Sequence, residues 1–98
     1  MNVIFHDEAL EEMLESARYY EERLKGLGWD FLTAVEQTIQ RISASPEAGS
    51  IHRRDIRKRL IRGFPFTVLY SVKPDHIFVV AVMHQRRKPA YWIKRLSS

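Results

Sequence analysis

The stretch His76 to His84, HIFVVAVMH, limits the fold more than any other part of the chain. Read with a period of two, one face holds Ile77, Val79, Ala81 and Met83. The other holds Phe78, Val80 and Val82, with His84 continuing it. Both faces are apolar, so this strand must be central in a sheet and covered on each side. A chain of 98 residues is one small domain over residues 1–98. It buries about 60–70% of its unfolded surface, enough for a single two-layer core.

The cover on one side comes from the N-terminal half. Val3-Ile4-Phe5 suits a first strand. Asp7 offers a helix N-cap oxygen, and Glu8, Glu11 and Glu12 sit where the helix dipole favours negative charge. Ala9, Leu10, Met13, Leu14, Ala17, Tyr20 and Leu24 form one apolar stripe, and Gly26 and Gly28 end that helix. A second helix is expected from about Trp29 to Ala44, with Phe31, Leu32, Val35, Ile39 and Ile42 as its stripe. It stops at Ser45-Pro46, because a residue before proline is driven out of helical geometry. Pro46 to Ser50 reads as a loop. Ile56 to Arg62 reads as a basic strand on an exposed edge, where charge discourages pairing with other chains. Phe66 to Val72 is the next strand, and Pro74-Asp75 turns the chain into the last.

The order is therefore βααβββ, an α+β two-layer sandwich with a largely antiparallel four-stranded sheet and a two-helix hairpin on one face. Two helices cover only one face of such a sheet. The opposite face, apolar and flanked by arginines, is expected to be a groove that a partner occupies.

Charge is divided unevenly along the chain. Residues 1–36 carry nine acids and three bases, net −6, whereas residues 37–98 carry three acids and thirteen bases, net +10. A basic half of this kind attracts phosphate or an acidic polypeptide, unless its side chains only solvate a sheet edge. With no cysteine there is neither a disulfide framework nor a thiolate metal site. His6, His52, His76 and His84 lack paired ligand spacing, so no metal or cofactor is expected. No apolar run approaches the roughly 20 residues of a membrane span. The opening MNVIFHDEALEE is acidic where a signal peptide is basic, which points to the cytoplasm. Tyr20 lies on the apolar stripe and is better read as core than as a base-stacking platform.

Four segments carry a resemblance that covers essentially the whole chain: ALEEMLESARYYEE, GLGWDFLTAVEQTIQRISASPEAG, IRKRLIRGFPFTVLYSV and IFVVAVMHQRRKPAYW. In their order, with an aromatic-rich strand ending in Tyr70 and an apolar strand running into His84, the chain resembles the RelE/ParE superfamily. These are the toxins of type II toxin–antitoxin, or plasmid stabilisation, systems. The resemblance implies a RelE-like fold and a cognate antitoxin with an acidic C-terminal segment. It also implies one of two targets. RelE-like members are mRNA interferases that cut messages in the ribosomal A site, without a metal. ParE-like members poison DNA gyrase and are not nucleases.

RNA cleavage of that kind needs a base for the 2′-hydroxyl, cations for the phosphate and a proton for the leaving oxygen. In RelE-like nucleases one arginine follows the aromatic that opens the strand at Phe66; here Thr67 stands there. Another lies just beyond the last strand, where this chain has Gln85. Tyr91 falls near a C-terminal tyrosine of those enzymes, and Arg62, His84, Arg87 and Tyr91 are the catalytic candidates if the chain is a nuclease. Val82-Met83-His84-Gln85 resembles the end of a ParE-like sheet, and a gyrase inhibitor is the favoured reading. Lys58, Arg59, Arg62, His84, Arg86, Arg87 and Tyr91 are the candidates for contact with target or antitoxin. A partner crossing the outer face is expected to reach Arg59, Arg62 or Arg87. A nucleic-acid-binding module is a third possibility that the basic strand permits.

Several of these residues have open alternatives. His84 either hydrogen-bonds nearby backbone or contacts a partner. If the strand continues, Arg86 and Arg87 face opposite sides, so only one enters the groove. Pro89 ends regular pairing. Tyr91 and Trp92 pack the tail back on the sheet, and Lys94 and Arg95 are expected in solvent.

Overall fold

The computed structural model describes residues 1–96. Strand β1 is Asn2–Phe5, helix α1 Asp7–Arg23 and helix α2 Leu27–Ala44. After a 3-10 turn at Pro46–Ala48 come β2 (Ser50–Arg53), β3 (Ile56–Leu60), β4 (Phe66–Val72) and β5 (His76–His84), then a second 3-10 turn at Ile93–Leu96. The sheet order is β1-β5-β4-β3-β2. β1 runs parallel to β5, and every other pair is antiparallel.

The α+β architecture with its helical hairpin is as expected, and β5 is central. The strand count is five, not four. No strand is expected at Ser50–Arg53, yet this segment pairs with β3 through Ser50↔Lys58 and Ile51↔Arg57. β2 therefore takes the edge, and the basic strand β3 lies inside the sheet. Its arginines are not a solvent fringe. Arg57 sits opposite Tyr70 and Arg59 opposite Val68, which puts both on the helix side, while Lys58 opposite Leu69 faces outward.

The helix starts also differ from expectation. His6, not Asp7, is the N-cap of α1; its Nδ1 accepts from the Glu8 N–H at 3.0 Å. Helix α2 starts at Leu27, ahead of Trp29, with Gly26 at φ 92° before it. Gly28 is inside that helix instead of ending α1. A Cβ there would collide with the Ala17 carbonyl oxygen and lie 2.9 Å from the Glu21 Cβ, so the glycine sets how closely the helices approach. Glu21 ties the corner by accepting from the N–H groups of Gly26 and Gly28, both at 2.9 Å. Ala9, Met13, Ala17 and Tyr20 of α1 pack inward against Phe31, Val35 and Ile42, but Leu10, Leu14 and Leu24 are substantially exposed.

β5 departs most from a simple alternation. Its register with β4 runs Phe66↔His84, Thr67↔Met83, Val68↔Val82 and Leu69↔Ala81, then skips to Tyr70↔Val79. Val80 is the extra residue of a β-bulge. The bulge reverses the facing of everything beyond it: Ile77, Val79 and Val82 join the helix-side core, whereas Val80, Ala81 and Met83 join the outer one. His84 is thereby carried to the helix side, where its ring meets Phe66 edge-on at 5.0 Å.

The outer face is not left bare. Ile56, Leu69, Val80, Ala81 and Met83 are buried beneath Trp92, with Phe78, Tyr91, Ile93 and Leu96 packed around them. Trp92 is 1% exposed, and its indole N–H donates to the Pro89 carbonyl at 2.6 Å. The expected groove is filled by the chain's own C-terminal segment. A free β5 apolar on both sides could not persist in water, and the nearest cover is the adjoining tail.

Candidate functional site

β1 ends at Phe5, and the His6 N–H closes the pairing on the Val79 carbonyl at 2.9 Å. Beyond that point β5 has no neighbour on this side, and its backbone groups need other partners. Two side chains supply them. Glu12 of α1 accepts from the Val82 N–H at 3.1 Å, and Arg95 of the tail donates to the Val80 carbonyl at 3.0 Å. The two also bind one another through paired contacts of 2.8 and 3.0 Å. The Tyr91 hydroxyl donates to the same carboxylate at 2.5 Å. Arg87 stacks over the Tyr91 ring with its guanidinium carbon 4.0 Å from the centroid. One carboxylate thus joins helix, sheet edge and tail.

Arg95 is not solvated: its side chain is 7% exposed. Burial works against its charge, but hydrogen bonds and charge from Glu12 outweigh that and hold its pKa above the ordinary value. Burial likewise raises the Tyr91 phenol, and accepting Glu12 beside it raises it further, against the pull of Arg95 and Arg87. The folded protein therefore keeps the Tyr91 proton at a pH where the unfolded chain has released it. Folding stability is intact below the ordinary tyrosine range near about 10 and falls as pH rises above it. Tyr91→Phe is expected to flatten this alkaline decline in the urea midpoint, leaving the part due to Tyr20 and Tyr70, whose phenols burial also raises. An unaltered slope would show that the Tyr91 hydroxyl is not held this way.

A cavity of about 460 Å³ opens beside the junction, lined by Tyr19, Tyr20, Phe66, His84, Arg87 and Tyr91 together with Glu12. Three of the four nuclease candidates, His84, Arg87 and Tyr91, meet there. His84 also accepts the Arg86 N–H on Nδ1 at 3.0 Å, which leaves Nε2 as the protonated nitrogen of its neutral ring. The strand ends at His84 and the chain turns, so Arg86 and Arg87 are not alternating strand residues; both are exposed, and Arg87 is the one at the cavity.

The fourth candidate, Arg62, belongs to another cluster. It lies just past β3, and its charge acts with that of Arg59 on Arg41 in the last turn of α2, whose pKa is lowered by burial and by these two neighbours. Arg41 donates to Thr38 Oγ1 at 3.2 Å. Arg57 is occupied differently, donating to the carbonyls of Glu47 and Gly49 at 3.0 and 2.8 Å. Lys58 stands apart on the outer face, exposed.

The family model for the ParE toxin of type II toxin–antitoxin system, parDE, matches residues 3–89. The chain belongs to the ParE toxin family. Among solved structures it is similar to one from the chromosomal ParDE TA system from P. aeruginosa, with a TM-score of 0.66 over 86% of this chain and 95% of that chain. Identity there is 17%, so this likeness speaks for the fold. No curated protein sequence matches the chain. The resemblance to the RelE/ParE superfamily, ParE-like branch, is borne out, and with it the reading as a toxin.

In this ParE-family toxin Tyr91, Trp92 and Arg95 lie just past the matched span, while their partner Glu12 lies within it. Sequence reading missed Glu12, Arg95 and Arg41. A glutamate on a helix's first turns and an arginine near the C-terminus carry no shared motif, and the two are 83 residues apart. It missed a second surface as well. The toxin's helical hairpin carries an apolar hollow of about 660 Å³ lined by Leu14, Ala17, Trp29 and Leu32, with Trp29 74% exposed. Among the described residues no group of His, Cys, Asp or Glu could hold a metal, and no helix is long and apolar enough to cross a membrane.

Proposed function

We propose that this toxin, a single domain over residues 1–98, arrests growth in the cytoplasm by binding DNA gyrase, without cutting RNA. A cognate antitoxin with an acidic C-terminal segment neutralises it. One observation carries the choice of target. The Tyr91 hydroxyl, nearest to the tyrosine of RelE-like nucleases, is spent on Glu12 in a partly buried contact that holds its proton tightly. A group held in this way is a poor proton donor to a leaving oxygen. Thr67, where those enzymes have an arginine, is 4% exposed, and Gln85 is uncharged. Neither supplies the cation that a crowded phosphate requires.

The proposed contact residues are Lys58, Arg59, Arg62, Arg86 and Arg87, with His84 and Tyr91 at the cavity. The basic half of the chain supports them as a surface for an acidic partner. A metal-independent mRNA interferase is the second reading, favoured by the meeting of His84, Arg87 and Tyr91 in one cavity. Inducing the toxin without antitoxin, while assaying gyrase supercoiling and the integrity of translated messages, separates the two. Lost supercoiling with intact transcripts is the expected result. Codon-phased cuts that disappear in Arg87→Ala or Tyr91→Phe would replace the gyrase reading with the nuclease one.

A further inference from the structure

We propose that the furrow between α1 and α2 is the docking surface for a second copy of this toxin, set antiparallel across a two-fold axis at Leu32. Self-association of this kind is independent of the target and of the antitoxin.

The furrow is longer than the hollow beside Trp29. Leu32 is shared between that hollow and a second one of about 310 Å³, lined by Met13, Val35, Glu36, Ile39 and Phe5 of β1. The two run end to end along α2, from the corner at Gly26 towards β1. Trp29, Leu32, Val35, Glu36 and Ile39 recur at spacings of three and four, which places them along one side of that helix. Leu14 and Leu24 are exposed beside it, and Trp29 is the most exposed large apolar side chain among the described residues. A tryptophan so placed, next to an apolar hollow, is the residue type that anchors protein interfaces.

Charge selects the occupant. At the Gly26 end the furrow is bordered by Arg18 and Lys25, and at the β1 end by Glu36. Glu21 also borders the first end, but its two carboxylate oxygens already accept from the Gly26 and Gly28 N–H groups. Arg18, Lys25 and Glu36 have no ion-pair partner among the described residues. A uniformly acidic segment lying in the furrow meets Glu36, and a uniformly basic one meets Arg18 and Lys25. A mate with opposite charges at its two ends avoids both conflicts, and the furrow itself is such a surface. A two-fold axis reverses its direction, so the basic end of each copy lies against the acidic end of the other.

The helix rise fixes which side chains meet. Trp29 lies three residues before Leu32, and Val35 and Glu36 lie three and four after it, about 4.5–6 Å along α2. Antiparallel packing through Leu32 sets the Trp29 ring of each copy over Val35 and Glu36 of the other, within the second hollow. The Glu36 carboxylate then faces Gly28 of the other copy, between its Arg18 and Lys25. Two hairpins joined in this way make a four-helix bundle in which every contact is made twice.

Sedimentation equilibrium of the purified 98-residue chain at micromolar concentration should show a reversible dimer, the weak class expected of a small interface. Trp29→Ala should weaken it about thirtyfold, the loss typical of a tryptophan anchor. Its thermal midpoint as a dilute monomer should stay unchanged, because the side chain is exposed in the single chain. Glu36→Lys, and the double change Arg18→Glu with Lys25→Glu, should each weaken the dimer roughly tenfold by setting like charges together at both ends. Mixed in equal amounts, these two variants should recover most of the association, since each end of the mixed dimer again holds opposite charges. A chain still monomeric near millimolar concentration, or a dimer indifferent to Trp29→Ala, overturns the proposal. So does a mixture that associates no better than its parts, which removes the antiparallel register. A monomeric toxin whose Trp29→Ala change instead weakens gyrase or antitoxin assigns the furrow to that partner, and likewise overturns self-association.

Discussion

Ending the chain after Lys88 should abolish cooperative folding or leave a toxin that aggregates and binds an apolar dye such as ANS. The lost segment contains Tyr91, Trp92, Ile93 and Leu96, the cover over Ile56, Leu69, Val80, Ala81 and Met83. Trp92 alone is 1% exposed, and replacing a buried tryptophan by alanine costs about 3–5 kcal/mol. A whole domain holds only about 5–15 kcal/mol in reserve, and the truncation removes the neighbours of Trp92 as well. It also strips the open edge of β5 of the Arg95 donor on Val80. Trp92→Ala is the graded version. It should fold, with a urea midpoint lower by that single-residue cost and an unchanged hairpin. A truncated chain with native thermal stability and no dye binding would mean that the segment merely rests on the sheet.

That dependence marks where the sequence was readable and where it was not. The hairpin was readable because its buried residues recur at helical spacing among charged neighbours. Even so, Leu10, Leu14 and Leu24 matched the same pattern and proved exposed. β2 was hidden because Ser50-Ile51-His52-Arg53 has one apolar residue, and that one is exposed; an edge strand needs only its backbone to pair. The bulge at Val80 was hidden for the opposite reason. From Ile77 to Met83 every side chain is apolar, so no polar residue marks where the alternation slips. Demanding cover for both faces of β5 is sound, but the outer face goes to Tyr91, Trp92, Ile93 and Leu96 of the chain's own tail and not to a partner.

The candidate site divides along similar lines. His84, Arg87 and Tyr91 were legible because they crowd one short stretch, and the cavity does gather them. Arg62 joins them in the sequence as a basic residue of the expected strand Ile56 to Arg62, whereas its electrostatic neighbours are Arg41 and Arg59. The bare sequence sends Arg95 to solvent together with Lys94, because a pair of basic side chains beyond the last strand has no visible partner. Nothing local reveals that a carboxylate on α1 waits for it.

Glu12→Ala should be the most damaging single substitution outside the apolar core, lowering stability by about 3–5 kcal/mol, the cost of leaving a buried charge without its partner. The Glu12 and Arg95 side chains are 16% and 7% exposed, so solvent cannot replace what is lost. The change also strands the Tyr91 hydroxyl and the Val82 N–H. Arg95→Met alone should cost a similar amount by stranding the carboxylate and the Val80 carbonyl. The double variant should be less unstable than the two losses added, because removing both charges lifts the penalty that each single change exposes. Denaturant unfolding of the four proteins measures that coupling directly. Strict additivity would show that Glu12 and Arg95 act separately, and the junction of helix, sheet edge and tail would then be proximity without interaction.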